Sequence, residues 1–89
     1  MSDSKKPATK VHLYPVTATI WRNQNPKGIA YSVTFERSYK DEEGNYKSAS
    51  SFNTSELLLV SKVADLAHTE IYRLRAEDRN ADKPEDEAA

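Results

Sequence analysis

The spacing of hydrophobic residues changes once along this 89-residue chain, and that change limits the folds open to it. Between residues 16 and 53, apolar and polar side chains alternate, as in strands with one buried face. From residue 53 to 75, apolar side chains return every three or four residues, as on one side of a helix. This order predicts an α+β fold, in which a three- to four-stranded antiparallel meander is followed by one long C-terminal helix.

The alternation falls into three strands, at residues 16–23, 31–40 and 46–53. The segments between them, residues 25–28 and 41–44, each begin with Asn or Asp and end with Gly. That is the chemistry of a type I turn closed by a left-handed glycine, so two hairpins are predicted.

A fourth strand at residues 11–14 is an open question. Val11 and Leu13 alternate correctly with their polar neighbours. Pro15 lacks a backbone donor, so a strand here would be confined to an edge of the sheet.

Loop length decides which residues pair across each hairpin. A four-residue loop in both hairpins pairs Gln24 with Ile29 and Lys40 with Asn45. A three-residue loop with a glycine bulge would instead set Tyr46 opposite Lys40. We expect the first register, because it keeps one face of the sheet apolar in both hairpins. It places four further pairs opposite each other: Ile20 with Val33, Ala18 with Phe35, Val33 with Phe52, and Tyr39 with Tyr46.

The helix is predicted to begin at Asn53. Asn53 suits an N-cap, Glu56 stands three residues later as in a capping box, and Phe52 with Leu57 fits a hydrophobic staple. The apolar stripe is wider than a small sheet can cover, so we expect a second copy of the chain to cover the remainder. The stripe consists of Leu57, Val60, Val63, Ala64, Ala67, Ile71 and Leu74, widened by Leu59 and Leu66.

Charge divides the chain into three parts. Residues 1–10 carry three lysines and one aspartate and are expected to form a disordered basic arm. Residues 76–89 carry six acidic and two basic side chains and are expected to form a disordered acidic tail. Residues 11–75 contain every aromatic residue and form the predicted single domain. The longest apolar run is four residues, so we expect neither a signal peptide nor a membrane span, and a cytoplasmic location.

The face of the sheet turned away from the helix is the candidate binding surface. It carries mainly small hydroxyl side chains and one large group, Trp21. An exposed indole with Arg22 beside it, and Lys40 and Lys47 farther across the sheet, could stack a base while the cations hold phosphates. The alternative is that Trp21 packs under a partner chain or under the N-terminal arm, and that the polar face is simply solvated.

The sequence offers little support for a catalytic site or a metal site. Glu36 is a lone carboxylate on a strand, and no histidine stands near the acidic loop, so no acid–base pair is evident. His68 lies beside the helix stripe without a second ligand. Cysteine is absent, and the only glycines, Gly28 and Gly44, are used by turns. We expect no enzyme, no cofactor and no metal.

A run of residues resembles a group of small uncharacterised bacterial and phage proteins. This run begins with Ala18-Thr19-Ile20-Trp21-Arg22-Asn23 and continues with Gly28, Tyr31, Val33, Phe35, Arg37, Tyr39-Lys40-Asp41, Gly44, Tyr46-Lys47, Ser51-Phe52 and Leu57. The resemblance covers about residues 16–74 and implies no activity. Members often have Trp where this chain has Tyr46. The order of strands and helix is also similar to the dimeric single-stranded-DNA-binding transcriptional coactivator family, a likeness of fold alone.

The sequence therefore predicts a small, non-enzymatic, homodimeric binding module. Its expected ligand is single-stranded nucleic acid, with a possible regulatory role, held by Trp21, Arg22, Lys40 and Lys47. The alternative is a protein-interaction module that uses the same sheet face.

Overall fold

The structure, a computed structural model, describes residues 6–82. Its four strands, β1 (Thr9–Leu13), β2 (Val16–Asn25), β3 (Gly28–Lys40) and β4 (Tyr46–Ala49), form one antiparallel sheet in the order β1-β2-β3-β4. A short 3-10 turn (Thr54–Glu56) leads into the long helix α1 (Leu57–Asp82). The predicted α+β meander is confirmed. The question of a fourth strand is answered by β1, which lies at the edge of the sheet.

The first predicted register is confirmed between β2 and β3. Gln24 pairs with Ile29, Ile20 with Val33, and Ala18 with Phe35. Pairing continues to Asn25 and Gly28, so only two residues form the turn. The Asn25 side chain accepts the Lys27 N–H at 3.0 Å, the local bond that makes asparagine a good first turn residue.

The predicted register between β3 and β4 is wrong. Lys40 pairs with Tyr46, and the Asp41 N–H donates to the Asn45 carbonyl at 2.9 Å, so the loop has three residues. It closes through Gly44, whose φ of 86° lies in the left-handed region that a glycine bulge uses. The Asp41 carboxylate accepts the N–H groups of Glu43 and Asn45, both at 2.9 Å, and these bonds favour the shorter loop.

This one-residue shift exchanges the two faces of β4. Tyr39 lies opposite Lys47 instead of Tyr46, and β4 ends at Ala49, before Phe52 could pair with Val33. Phe52 instead packs against the core from the segment that leads to the helix.

The core lies between β2 and α1. β2 is the most buried strand because β1 and β3 flank it and the helix lies across it. The aliphatic side chains of β2, Val16, Ala18 and Ile20, point toward α1, as the alternation predicts. The fully shielded core consists of Val16, Ala18, Ile20, Val63 and Ala67.

The predicted helix start is confirmed at Asn53. The Asn53 N–H donates to a Glu56 carboxylate oxygen at 2.9 Å, and the Glu56 N–H donates back to the Asn53 carbonyl at 2.8 Å. Glu56 also lies 3.3 Å from the Arg37 guanidinium, in an ion pair that is largely shielded from water. The first turn of the helical segment is thereby attached to β3.

The folded domain extends farther toward both ends of the chain than the charge pattern predicted. β1 begins at Thr9, within the expected basic arm, and α1 continues to Asp82, through the first part of the expected acidic tail. Asp78 continues the spacing of the helix stripe, four residues after Leu74 and seven after Ile71. The remainder of the two predicted terminal segments, residues 1–5 and 83–89, lies outside the described residues.

Measurements of the free energy of unfolding can test which side chains lie on which face of the sheet. Ile20 is fully buried against α1, so Ile20→Ala should lower the free energy of unfolding by about 2 to 5 kcal/mol. Ser48→Ala, on the opposite face of β4, should change it by less than about 0.5 kcal/mol. Urea denaturation of both variants measures the difference, and similar losses in the two would contradict the assignment of faces.

Candidate binding face

The helix packs on one face of the sheet only, which leaves the opposite face, here called the open face. The pairing register places these residues on it: Lys10, His12, Thr17, Thr19, Trp21, Asn23, Ser32, Thr34, Glu36, Ser38, Lys40, Tyr46 and Ser48. Hydroxyl side chains form its middle, and larger aromatic and basic side chains stand toward its ends. The predicted polar, hydroxyl-rich surface thus exists, with some changes of membership.

Trp21 lies on the open face and is half-buried. Its indole N–H donates to the Thr34 hydroxyl at 3.1 Å, which fixes the ring against β3. Lys10 stands on β1 opposite Thr19, which is two residues before Trp21 on the same face. With Pro7, which precedes β1, these side chains line a concavity of about 440 Å³ around the indole. The indole is therefore neither fully packed nor fully exposed, and one side of it borders a space that a ligand could enter.

Lys40 lies at the far end of the open face. Its ammonium group is 5.3 Å from the centre of the Tyr46 ring, which is the range of a cation–π contact. Tyr46 is 62% exposed, so its ring remains available to a further partner. Trp21 is opposite Ser32, eight residues before Lys40 on β3, so the two ends are about 26 Å apart.

Arg22 lies on the helix side of the sheet, because successive residues of a strand point to opposite faces. Its guanidinium binds the Asp78 carboxylate of α1, with Nη2 3.0 Å from Oδ1. The Tyr31 hydroxyl donates to the other carboxylate oxygen at 2.5 Å. The prediction that Arg22 and Trp21 share one surface is wrong.

These three side chains alter one another's protonation. The pKa of Asp78 is lowered, first by the hydrogen bond from Tyr31 and then by the bond from Arg22. The pKa of Tyr31 is raised, mainly by desolvation and further by its bond to the carboxylate. The pKa of Arg22 is raised, mainly by its bond to Asp78. Asp78 is thus held as an anion that joins the end of α1 to β2 and β3.

Lys47 also lies away from the open face, as a consequence of the corrected β4 register. Its ammonium group is 3.6 Å from the Asp41 carboxylate, in an exposed ion pair within the second hairpin. Tyr46 takes the position on the open face that was predicted for Lys47. Of the four predicted site residues, the structure therefore places Trp21 and Lys40 on the open face and Arg22 and Lys47 on the other side.

The sequence did not lead us to place three residues of the open face there: Lys10, His12 and Tyr46. Lys10 was assigned to the basic arm, although Thr9, Val11 and Leu13 already alternate with Lys10 and His12. His12 shares a 2.6 Å hydrogen bond with the Thr17 hydroxyl across the β1–β2 hairpin. Tyr46 was assigned to the helix side, and the three-residue loop alternative would have placed it correctly.

No protein-family model, curated protein or solved structure matches this chain. Nowhere between residues 6 and 82 does a helix combine the length and the apolarity needed to cross a membrane. The same part of the chain holds no group of three or more histidine, aspartate or glutamate side chains that could bind a metal ion.

The Asp78 contact predicts a pH-dependent contribution to stability. Because its pKa is lowered by folding, Asp78 stabilises the fold above its ordinary pKa, and the contribution is lost as the pH falls through the lowered value. Asp78→Asn should therefore unfold more readily than the unmodified chain at about pH 7, and the gap should narrow as the pH falls below the ordinary aspartate pKa of about 3.9. Urea denaturation across that pH range measures the difference in the free energy of unfolding between the two proteins.

Glu77→Gln is the matched control, since Glu77 is exposed and pairs with Arg73 on the same helix. It should show little pH-dependent loss, because exposed ion pairs of this kind contribute little. A gap for Asp78→Asn that is constant with pH would contradict the argument.

Proposed function

We propose that this protein is a non-enzymatic binding module that holds single-stranded nucleic acid along its open face, with a regulatory role. The observation that supports the proposal is the pairing of an aromatic ring with a lysine at each end of that face. Trp21 stands beside Lys10 at one end, and Tyr46 stands beside Lys40 at the other. Rings can stack on bases of any identity, and lysines can neutralise the neighbouring phosphates.

The surface between the two ends suits an extended strand. Serine and threonine hydroxyls can donate to phosphate or sugar oxygens and can accept from base edges. They are small, so a backbone can approach the sheet closely. A span of about 26 Å between the two aromatic positions gives room for several nucleotides in a row. Four-stranded sheets with aromatic side chains are a recurrent platform for single strands.

Charge limits the strength of this binding. The open face carries Lys10 and Lys40 against Glu36, and three of the other four hairpin cations, Arg22, Arg37 and Lys47, each pair with a carboxylate. The electrostatic contribution should therefore be small, with a shallow dependence of affinity on salt. Stacking on Trp21 and Tyr46 would have to supply much of the affinity.

The first test of the proposal is the stacking contribution. Trp21→Ala should weaken binding of a mixed single-stranded 20-mer by about 1 to 3 kcal/mol, or roughly 5-fold to 150-fold. Fluorescence anisotropy of a labelled oligonucleotide at low salt measures the affinity, and quenching of the single tryptophan of the unmodified chain reports stacking directly.

The second test compares two lysines of one hairpin. Lys40→Gln should weaken binding to all sequences alike and lower the salt slope by about one unit, because a phosphate contact releases counterions. Lys47→Gln removes the same charge from the other side of the sheet and should leave both quantities unchanged. Equal losses in the two variants would indicate a general charge effect and contradict a role for the open face.

A protein partner is the alternative that this experiment can reveal. A docking surface for a protein would not hold single strands, so no base would stack on the Trp21 indole. Unchanged tryptophan fluorescence and no binding of 20-mers at low salt would overturn the nucleic-acid proposal and favour protein docking on the same face.

A further inference from the structure

β3 extends well beyond its outer neighbour. It has thirteen residues, and β4 pairs only with its last four, Arg37 to Lys40. Over Gly28 to Glu36, the side of β3 turned away from β2 faces no strand among residues 6–82. This nine-residue stretch is here called the free edge.

The backbone groups of the free edge alternate in direction. The Ser38 N–H donates to the Pro15 carbonyl on the β2 side, and the Asp41 N–H donates to Asn45 on the β4 side. Even-numbered residues of β3 therefore bond toward β2, and odd-numbered residues point outward. Within the free edge, the outward residues are Ile29, Tyr31, Val33 and Phe35.

The sequence of the free edge does nothing to prevent pairing. Natural edge strands are protected by lysine, proline, a bulge or short length. β1, at the other edge of the sheet, has five residues with a lysine among them and is followed by Pro15. Between Ile29 and Phe35 there is no charge and no proline, and most residues are good strand formers.

The helix leaves room above the free edge. α1 lies mainly over β1 and β2 and only slightly over β3. Arg75 lines a concavity of about 240 Å³ together with Ile29 and Tyr31, which identifies the side of α1 that faces β3. Leu57 lies on the same side, five helical turns earlier, and is 55% exposed. Tyr72, which lines a concavity with Arg75, is 62% exposed.

We propose that a second copy of this chain pairs with the free edge, so that two sheets form one eight-stranded sheet. Antiparallel pairing of β3 with itself about a two-fold axis is self-complementary, and it satisfies both free edges at once. Pairing that uses the whole edge is centred on Ser32, so Tyr31 of each copy exchanges backbone hydrogen bonds with Val33 of the other. The two-fold axis is perpendicular to the sheet, because only this orientation puts both helices on one side of the combined sheet and both open faces on the other.

A second copy fits this edge better than an unrelated strand. The two-fold axis sets both helices on the same side of the combined sheet, with the paired β3 strands between them. Leu57, which is exposed on the side of α1 that faces β3, then lies toward the other copy, whereas a lone peptide strand would leave it in water. The two open faces become one continuous surface. The proposal itself does not depend on what that surface binds.

Sedimentation of the full chain, without nucleic acid, tests the proposal. At micromolar concentration it should give twice the 10.1 kDa chain mass. Val33→Pro removes an outward N–H and none of the bonds to β2, so it should give the single-chain mass with the circular dichroism of a folded protein. A single-chain mass for the unmodified protein would overturn the proposal and leave the free edge to a strand of another protein. A folded dimeric Val33→Pro variant would also overturn it.

If Val33→Pro fails to fold, a disulfide crosslink between the two copies tests the pairing instead. The chain has no cysteine, so Ser32→Cys introduces a single thiol. Centred pairing sets the two Ser32 positions directly opposite in a non-hydrogen-bonded pair, where Cα atoms are about 4.5 Å apart and a disulfide can form. Mild oxidation should convert most of this variant to a covalent dimer. Ser48→Cys, an exposed serine of the same face on β4, is the matched control, and equal crosslinking of the two would contradict the pairing.

Discussion

Five side chains exclude water between the helix and the second strand: Val16, Ala18, Ile20, Val63 and Ala67. The alternation of β2 supplies the first three, and the helical repeat of α1 supplies the other two. Because these two periods meet on one side of the sheet only, the residues of β2 that alternate with Val16, Ala18 and Ile20 must point the other way. The open face and its tryptophan are therefore a direct consequence of the core.

Two ion pairs join the ends of the helical segment to the sheet. Near its start, Glu56 binds Arg37 of β3, and near its end Asp78 binds Arg22 and Tyr31. The second contact uses Arg22, which the sequence offers as a candidate for phosphate binding, and the first uses Arg37, a further basic residue of the hairpins. Their use in the fold explains why the hairpins, although rich in basic residues, present few unpaired cations. It also makes Asp78 part of the folded domain.

Much of the fold can be predicted from the sequence because the signals are local. The strand alternation, the N-cap at Asn53 and the first hairpin register each follow from a few adjacent residues. The β4 register could not be fixed in this way, since Asp41-Glu42-Glu43-Gly44 is compatible with two loop lengths that differ by one residue. The Asp41 carboxylate, which accepts two backbone N–H groups, selects between them.

The candidate site was less predictable because it depends on which residues share a face. The one-residue shift of β4 exchanged Lys47 for Tyr46, and a charge-based boundary assigned Lys10 to the arm. Arg22 is adjacent to Trp21 in sequence and yet lies on the opposite face, as strand geometry requires. Its carboxylate partner, Asp78, is 56 residues away in the chain and lies in a segment that charge alone indicated to be a tail.

NMR can show whether the open face is the surface that binds single-stranded nucleic acid. Backbone and indole N–H resonances of the full chain would be followed during titration with a single-stranded 20-mer at low salt. If the strand binds there, the largest shifts should belong to the Trp21 indole and to residues Lys10, Thr34, Lys40 and Tyr46. Shifts confined to the exposed side of α1, around Tyr72 and Arg79, or no shifts at all, would contradict binding at the open face.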